Sequence, residues 1–501
     1  TLYNAQDYGS DLLPPKDWPF KNWLALIHTN DNEGAPTTDQ VRALLQRAND
    51  ELPGVKKRMG RLSDFGDAIR KENPSLPVIR GDMPDTWIHG VMSMPKETGI
   101  ARKYRPKIYT LESLSTMVAQ WGISEGSNRN AIADSYEEGL LFGEHTWGMN
   151  FGYHGARRYG EEWQQDRREG LYENDEVSWR EKGAHSEQVR QRVLPRLHAT
   201  LQSLAQAVKI EEPRIVVYNP LPWTRTGVVS IEIIGEKPKS LKDPEREEWL
   251  PVGCRGNRIH FVARDVPPMG YRTYVFGDDG QNRTELRQDS KSHTIENSFF
   301  RLQFDPARGA IVSLIDKRTA KEWVDASSPF SLGEYLYERF SRDNVESYLN
   351  SYDKINVDWS RNDLGKRDLS PSNEIPYQAI SANNFSMKFQ QDNVSISAIL
   401  FSREHGIGLT VTLYEENPYI DVTWSIENKP ADPWPEAGWL CFPMKFDSPS
   451  FKLGRLGGIV DPSTDLVRSA NHDVFCLNGG IAILDKDESG IGLCAFESPL
   501  I

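Results

Sequence analysis

The chain has 501 residues, which at about 150 residues per domain predicts about three domains, and its 38% of hydrophobic and 26% of charged residues exclude a chain that is disordered throughout. The 72 acidic and 59 basic residues give a net charge of -13, which repels phosphate backbones and argues against a nucleic-acid partner. The four cysteines lie far apart without a C-x-x-C pair, which argues against a zinc knuckle or a disulfide framework. No apolar run reaches the ~18 residues of a membrane span, so we expect no membrane partner.

The first part of the chain is predicted to alternate strands and helices. An apolar run at residues 22–30 predicts a buried strand. A helix is predicted to follow, with Thr38 and Asp39 as candidate caps and Pro53 at its end. Residues 61–72 predict a second helix and residues 76–82 a second short strand. This order is typical of an α/β layer, in which the chemistry collects at the carboxyl ends of the strands.

Residues 107–209 have a helical pattern. Two amphipathic helices are predicted over 110–120 and 130–142, and a third has apolar residues every three or four positions over 193–208. Three such helices predict a small bundle. The highly charged residues 156–183, between the second and third helices, are predicted to be a solvated excursion.

After Pro213 the helical signals nearly vanish. The roughly 290 residues that remain form short alternating or apolar runs bounded by turn residues, such as RIVVYNPLPW and RIHFVARDV. This pattern predicts β-sandwich architecture, with more than one sandwich. The polar residues 277–293 are predicted to be the seam between two of them.

Two loops after the predicted strands carry candidate functional residues. Asp31 directly follows the first strand, where a partly desolvated carboxyl group suits a general acid, although Asp is also an ordinary turn residue. The second loop contains Asp82, Asp85 and Trp87. Carboxylates bind hydroxyl groups and a Trp ring stacks on a sugar face, so this loop suits a sugar pocket. The structural alternative is that Trp87 and His89 form a satisfied core pair.

His145, at the end of the second bundle helix, is a candidate metal ligand. A carboxylate or hydroxyl next to it, Glu144 or Thr146, could orient its ring. The alternative is that the imidazole complements the negative end of the helix dipole. No phosphate loop, G-x-S-x-G elbow or H-E-x-x-H helix occurs in the sequence, so kinase, serine-hydrolase and zincin activities have no support.

Two long segments resemble glycoside hydrolase family 38, the retaining zinc-dependent α-mannosidases. VVYNPLPWTRTGVV at 216–229 resembles the opening of the family's first β-sandwich, and ENSFFRLQFDPARGAIVSLIDKRTAKEWVD at 296–325 resembles the start of its large C-terminal β domain. The resemblance covers the whole chain and implies a multidomain α/β plus all-β protein. The implied domains are the C-terminal part of a seven-stranded β/α barrel at 1–106, a three-helix bundle at 107–210, a small β-sandwich at 211–285, and a truncated large β-sandwich domain with a galactose-mutarotase-like supersandwich at 286–501.

The resemblance implies a role for each candidate residue. Asp31 becomes the acid/base, with Asn30 in place of the family's first Asp, and Trp87 becomes the sugar platform in the loop that also carries Asp82 and Asp85. His145 becomes a zinc ligand, although the chain has Glu144 and Thr146 where many relatives have His and Asp. The implied cofactor is Zn²⁺, and the implied partner is an α-mannoside or a mannose-containing glycan.

The chain departs from the family at its front, because it has no H-x-D motif before His145 and no segment that matches the nucleophile loop. In relatives both lie upstream, so we expect a fragment that starts inside the barrel and is inactive alone. A catalytic zinc site normally takes about three protein ligands, and only one is identified here. Two alternatives stay open at this point, namely a non-catalytic carbohydrate-binding or scaffold protein and a related hydrolase that acts on a different glycoside.

Overall fold

The computed structural model describes residues 12–26, 34–84, 89–123, 126–145, 158–278, 284–352, 366 and 368–501. They fall into two units, Thr1–Arg80 and Gly81–Ile501, which are described separately. Among the described residues, no helix combines the length and the apolar character that crossing a bilayer requires.

The described residues of the first unit form two helices, α1 (Thr38–Glu51) and α2 (Leu62–Lys71). The cap of α1 is Thr37, directly before the two predicted candidates, Thr38 and Asp39. The Thr37 hydroxyl accepts a hydrogen bond from the Gln40 backbone N–H at 3.3 Å, and the Gln40 side-chain oxygen accepts one from the Thr37 N–H at 2.7 Å. This reciprocal pair satisfies two N–H groups that have no partner inside the helix.

The two predicted strands of this unit are not formed in its described part. Residues 22–26 and 73–80 are irregular, and Val78 and Ile79 are 76% and 69% exposed. An apolar run becomes a buried parallel strand only when neighbouring strands pair with it and helices cover it. The described residues of this unit include no other strand that could do so, and the barrel predicted over 1–106 therefore stays a prediction.

Helices dominate the first part of the second unit. After a short 3₁₀ turn at His89–Met92 come α3 (Pro95–Gln120), α4 (Arg129–Gly143), α5 (Gly160–Arg168) and α6 (Glu173–Ala207). Helices α3, α4 and α6 pack together, and α3 and α6 supply the buried residues of their shared core. These are Ile108, Leu111, Leu114, Val118, Val189, Val193, Leu197 and Leu204.

Two of these helices are longer than predicted. Helix α3 begins at Pro95 rather than near residue 110, and it continues through Pro106. A proline removes one helical hydrogen bond, but packing of the residues that follow it compensates for that loss. The charged residues 156–183, predicted to be a solvated excursion, instead include α5 and the start of α6. Ion pairs such as Arg168–Glu161 and Arg180–Glu173, each at 2.8 Å, link side chains two helical turns apart there.

A small β-sandwich follows the helices. Its strands are β1 (Arg214–Asn219), β2 (Arg225–Glu232), β3 (Ser240–Asp243), β4 (Glu248–Pro251), β5 (Gly253–Arg255), β6 (Arg258–Val266) and β7 (Gly270–Gly277). They form two antiparallel sheets, in the orders β1-β7-β3-β4 and β2-β6-β5. The side chains of Leu241, Ile259, Phe261 and Tyr274 are completely buried between them. The rings of Phe261 and Tyr274 meet edge to face with their centroids 5.0 Å apart.

The remaining strands form a larger all-β region. They are β8 (Arg287–Asp289), β9 (Thr294–Glu296), β10 (Phe300–Asp305), β11 (Ala310–Asp316), β12 (Lys321–Glu322), β13 (Tyr335–Arg339), β14 (Gln378–Ser381), β15 (Ser386–Gln391), β16 (Ser395–Ser402), β17 (Ile407–Tyr414), β18 (Ile420–Ile426), β19 (Glu436–Leu440), β20 (Ser450–Arg455), β21 (Gly458–Val460), β22 (Ile481–Leu484) and β23 (Gly490–Leu493), with α7 (Arg342–Tyr352) between β13 and β14.

These strands make four antiparallel sheets, in the orders β12-β11-β10-β9-β8, β14-β13-β19, β15-β16-β17-β18 and β21-β20-β22-β23. In β10, Phe300, Leu302 and Phe304 are buried while Arg301 and Gln303 are exposed. This period of two is that of a strand with one face on a core. The predicted mixture of helices and several antiparallel sheets is therefore confirmed at this level.

Candidate functional site

The loop that carries the predicted sugar platform begins at Gly81 and is joined to the C-terminal part of the chain. The Asp82 N–H donates to the Asp465 carbonyl at 2.7 Å, and the Val467 N–H donates to the Asp82 carbonyl at 2.9 Å. Gly81 has a φ of +121°, and a Cβ atom there would lie 2.8 Å from the Asp465 carbonyl oxygen. Both the backbone conformation and the close approach therefore require glycine.

Asp82 also forms an ion pair inside this junction. Its Oδ2 accepts a hydrogen bond from Arg455 Nε at 2.5 Å, and the two side chains are only 14% and 9% exposed. Arg455 donates a second hydrogen bond to the Cys476 carbonyl at 3.2 Å. In this structure the Asp82 carboxylate therefore binds Arg455. A contact between Asp82 and sugar hydroxyl groups stays a prediction. Asp85 and Trp87 lie outside the described residues.

A second arginine joins α3 to the same C-terminal region. The Arg102 guanidinium donates to the carbonyls of Phe496, Leu477 and Ala495 at 2.8, 2.9 and 2.8 Å. Burial lowers the pKa of Arg102 from its ordinary value, which is far above neutrality, so the side chain remains a cation. The sequence alone did not identify Arg102 or Arg455, because Asp82 is 373 positions from Arg455 and the carbonyls bound by Arg102 are at least 375 positions away.

His145 follows the end of α4, as predicted, and its side chain is 77% exposed. Its Nδ1 lies 2.8 Å from Glu144 Oε1. Lys182 of α6, only 8% exposed, donates to the Glu144 carbonyl oxygen at 2.5 Å and to Glu144 Oε2 at 3.3 Å. The carboxylate thus orients the imidazole through Nδ1, and Nε2 is the nitrogen left for a metal ion.

Lys182 also weakens the alternative explanation for His145, namely that its imidazole complements the negative end of the α4 dipole. A cation at the C-terminal end of a helix is stabilised by the helix dipole, and Lys182 places its ammonium group on the carbonyl that follows α4. The dipole therefore already has a buried cation, and the exposed imidazole is not needed for that purpose. The sequence signal for Lys182 was weak, because it lies in the charged region predicted to be solvated.

The described residues do not form a zinc site by themselves. Across residues 12–26, 34–84, 91–123, 126–145 and the later described ranges, no group of three or more His, Cys, Asp or Glu side chains is placed to hold a metal ion. His145 supplies one imidazole where a catalytic zinc normally needs about three protein ligands. Asp31, the predicted acid/base, belongs to residues 27–33, outside the described ranges. Both assignments stay predictions.

Two solved structures are similar to this chain over 90% of its length. One is a protein of glycosyl hydrolase family 38 from Enterococcus faecalis, with a TM-score of 0.56 and 11% sequence identity. The other is an α-mannosidase from Enterococcus faecalis V583, with a TM-score of 0.57 and 12% identity. The chain spans 56% and 55% of the lengths of these two proteins, or about half.

No protein-family model matches the chain, and no curated protein does. At this level of identity the two solved structures show the fold. The chain folds like about half of a family 38 glycosyl hydrolase, which confirms the fold resemblance expected from the sequence.

Proposed function

We propose that this chain is part of a glycoside hydrolase that cleaves α-mannosides with retention of the anomeric configuration. One observation carries the proposal, namely the fold shared over 90% of the chain with two solved proteins, one of which is described as an α-mannosidase. A fold alone hosts many activities, so the assignment also depends on the residues predicted for the site.

The proposed chemistry assigns Asp31 two successive roles. As an acid it protonates the leaving oxygen while a second carboxylate attacks the anomeric carbon. As a base it then removes a proton from the water that releases the covalent glycosyl-enzyme intermediate. In retaining enzymes the two carboxyl groups lie about 5–5.5 Å apart. The attacking carboxylate is not identified among the residues of this chain.

The remaining proposed residues bind and orient the sugar. Trp87 stacks on a sugar face, and Asp82 and Asp85 accept hydrogen bonds from hydroxyl groups near it. His145 is the proposed zinc ligand of this chain, with Glu144 orienting its ring. Zinc, when bound, would hold sugar hydroxyls and orient the ring. The contacts of Gly81 and of the Asp82–Arg455 pair fix the start of the loop that contains Trp87. This supports a role for the junction in positioning that loop.

The acid/base assignment is tested by Asp31→Asn, assayed on an aryl α-mannoside with the protein as the cell makes it. General acid–base catalysis contributes about 10²–10⁴-fold, so we expect a loss of that size. The loss should shrink for a dinitrophenyl leaving group, which needs no proton. The matched control is Asp39→Asn, whose side chain is 92% exposed at the start of α1. Unchanged activity of Asp31→Asn would refute the assignment.

The same assay separates the two alternatives. A panel of aryl glycosides that includes α-glucoside and α-galactoside identifies a hydrolase of different specificity, because cleavage of another glycoside would then exceed that of the mannoside. Binding of mannosides without turnover by the protein as the cell makes it would instead indicate a carbohydrate-binding or scaffold protein.

A further inference from the structure

Two described segments of the helical part adjoin candidate residues of the proposed site. Residues 89–94, which we call the platform segment, begin two positions after Trp87. Residues 142–145, which we call the ligand segment, end at His145. The contacts that hold these two segments therefore also place the two candidate residues.

A small buried cluster joins the two segments. Met94 of the platform segment and Phe142 of the ligand segment are 4% and 5% exposed, and both belong to one hydrophobic cluster with Ala101 of α3. Protein interiors are close-packed, so a shift of one side chain in such a cluster is transmitted to its neighbours. The two segments therefore share one buried core.

The platform segment is also bonded to the start of α3. The Thr98 N–H donates to the Met94 carbonyl at 2.9 Å, and the Thr98 hydroxyl donates to the Val91 carbonyl at 2.6 Å. One residue of α3 thus satisfies two carbonyl groups of the segment. The platform segment is therefore placed by α3 as well as by the shared core.

Helix α6 contacts both segments at adjacent positions. The Lys182 ammonium group donates to the Glu144 carbonyl oxygen of the ligand segment at 2.5 Å. At the next residue, Gly183, a Cβ atom would lie 2.9 Å from Glu97 Cγ and 3.4 Å from Met94 Cε. Glycine is unfavourable in a helix interior, and this close approach explains its presence in α6. One turn of α6 therefore supports both segments.

We propose that Met94, Phe142 and Lys182 are positioning residues, which hold the platform segment and the ligand segment in one fixed arrangement and so place Trp87 and His145 relative to each other. A misplacement of about 1 Å can cost an enzyme about 10²-fold in rate, so such support bears directly on activity. The roles of Trp87 and His145 rest on the proposed function. The joint support of the two segments rests on the buried cluster and on α6.

The first test is amide hydrogen exchange of the full chain with Phe142→Ala, which removes the largest side chain of the shared core. The Thr98 N–H, bonded to the Met94 carbonyl, reports on the platform segment, and the Glu144 N–H, bonded to the Leu141 carbonyl, reports on the ligand segment. Truncating a buried Phe leaves a cavity between the segments. We therefore expect both amides to exchange about tenfold faster or more.

The matched control is Leu204→Ala. Leu204 is 1% exposed in the core shared by α3 and α6, so its truncation also destabilises the helical bundle. At a rise of 1.5 Å per residue it lies about 33 Å along α6 from Lys182. The melting temperature should fall in both variants, whereas exchange at the two reporter amides should rise only in Phe142→Ala.

The second test is kinetic and uses an aryl α-mannoside with the protein as the cell makes it. Lys182→Met should lower kcat/KM about tenfold or more, because Glu144 then loses the ammonium group that holds its carbonyl. Lys182→Arg keeps a cation at the end of α4 and should restore most of that loss. A side chain needed only for stability would show the same loss in Leu204→Ala.

The two tests fail independently. Faster exchange of both segments in Phe142→Ala alone supports the proposal. It is overturned if only one segment responds, if Leu204→Ala has the same effect on exchange, or if an active protein keeps its kcat/KM in Lys182→Met. Absence of mannoside cleavage by the parent protein would refute the proposed function, while the exchange result would still decide whether the two segments are held together.

Discussion

Removing the Asp82 carboxylate should loosen the junction between the Trp87 loop and the C-terminal sheet. The perturbation is Asp82→Ala, which leaves the guanidinium of Arg455 buried with the Cys476 carbonyl as its remaining partner. Breaking a buried ion pair by removing one partner costs about 3–5 kcal/mol. Because Arg455 keeps that carbonyl and is 9% exposed, we expect the lower end, about 3 kcal/mol.

The loss should be local, so the assay is amide hydrogen exchange at the hydrogen bonds of the junction. The Val467 N–H donates to the Asp82 carbonyl and the Asn471 N–H to the Pro84 carbonyl. A loss of about 3 kcal/mol corresponds to a fall in their protection of about 10²-fold. Asp473→Asn, an exposed position in the same region, is the control.

A double-mutant cycle distinguishes the ion pair from a simple loss of packing. If the unpaired charge is the cause, Asp82→Ala combined with Arg455→Leu should restore part of the protection that Asp82→Ala loses. The reasoning is refuted if Val467 and Asn471 exchange in Asp82→Ala as slowly as in Asp473→Asn.

Two further predictions concern backbone strain and pH. Gly81→Ala should lower the opening free energy that protects the same amides by about 1–3 kcal/mol or more. The control is Gly122→Ala, because Gly122 also has a positive φ but has open space around its Cβ position, so this variant should not affect the junction. Equal exchange rates in the two variants would contradict the close contact with Asp465. Asp392 is partly buried, which alone would raise its pKa, but hydrogen bonds from His260 and from backbone N–H groups lower the pKa below its ordinary value. The stability that ionised Asp392 contributes should be complete above about pH 4 and be lost as the pH falls through its lowered pKa. The unfolding free energy of Asp392→Asn should therefore depend less on pH below about 4 than that of the parent chain. The same pH dependence in both proteins would contradict this assignment.

The sequence predicted best where periodicity and burial coincide. The apolar spacing over 193–208 corresponds to α6, whose Val193, Leu197 and Leu204 are buried in the bundle core. The run RIHFVARDV likewise corresponds to β6, whose residues from Ile259 to Ala263 are buried. In both cases a single element carries its own pattern, because its apolar positions reflect which part of it meets the core.

The sequence predicted less well where structure depends on distant partners. The apolar residues near Val78 do not form the predicted strand, because pairing requires neighbours that a local pattern cannot supply. Helix α3 passes through Pro106, where packing outweighs a local breaking signal. The Asp82–Arg455 pair joins residues 373 positions apart, so no motif could indicate it.

The central claim is that the chain is part of a retaining hydrolase of α-mannosides, and the anomeric form of the first product tests it most directly. Proton NMR during hydrolysis of an aryl α-mannoside, with the protein as the cell makes it, observes the released sugar before it mutarotates. We predict α-mannose as the first product, since double displacement retains the configuration. β-Mannose as the first product, or no release of mannose at all, would contradict the account.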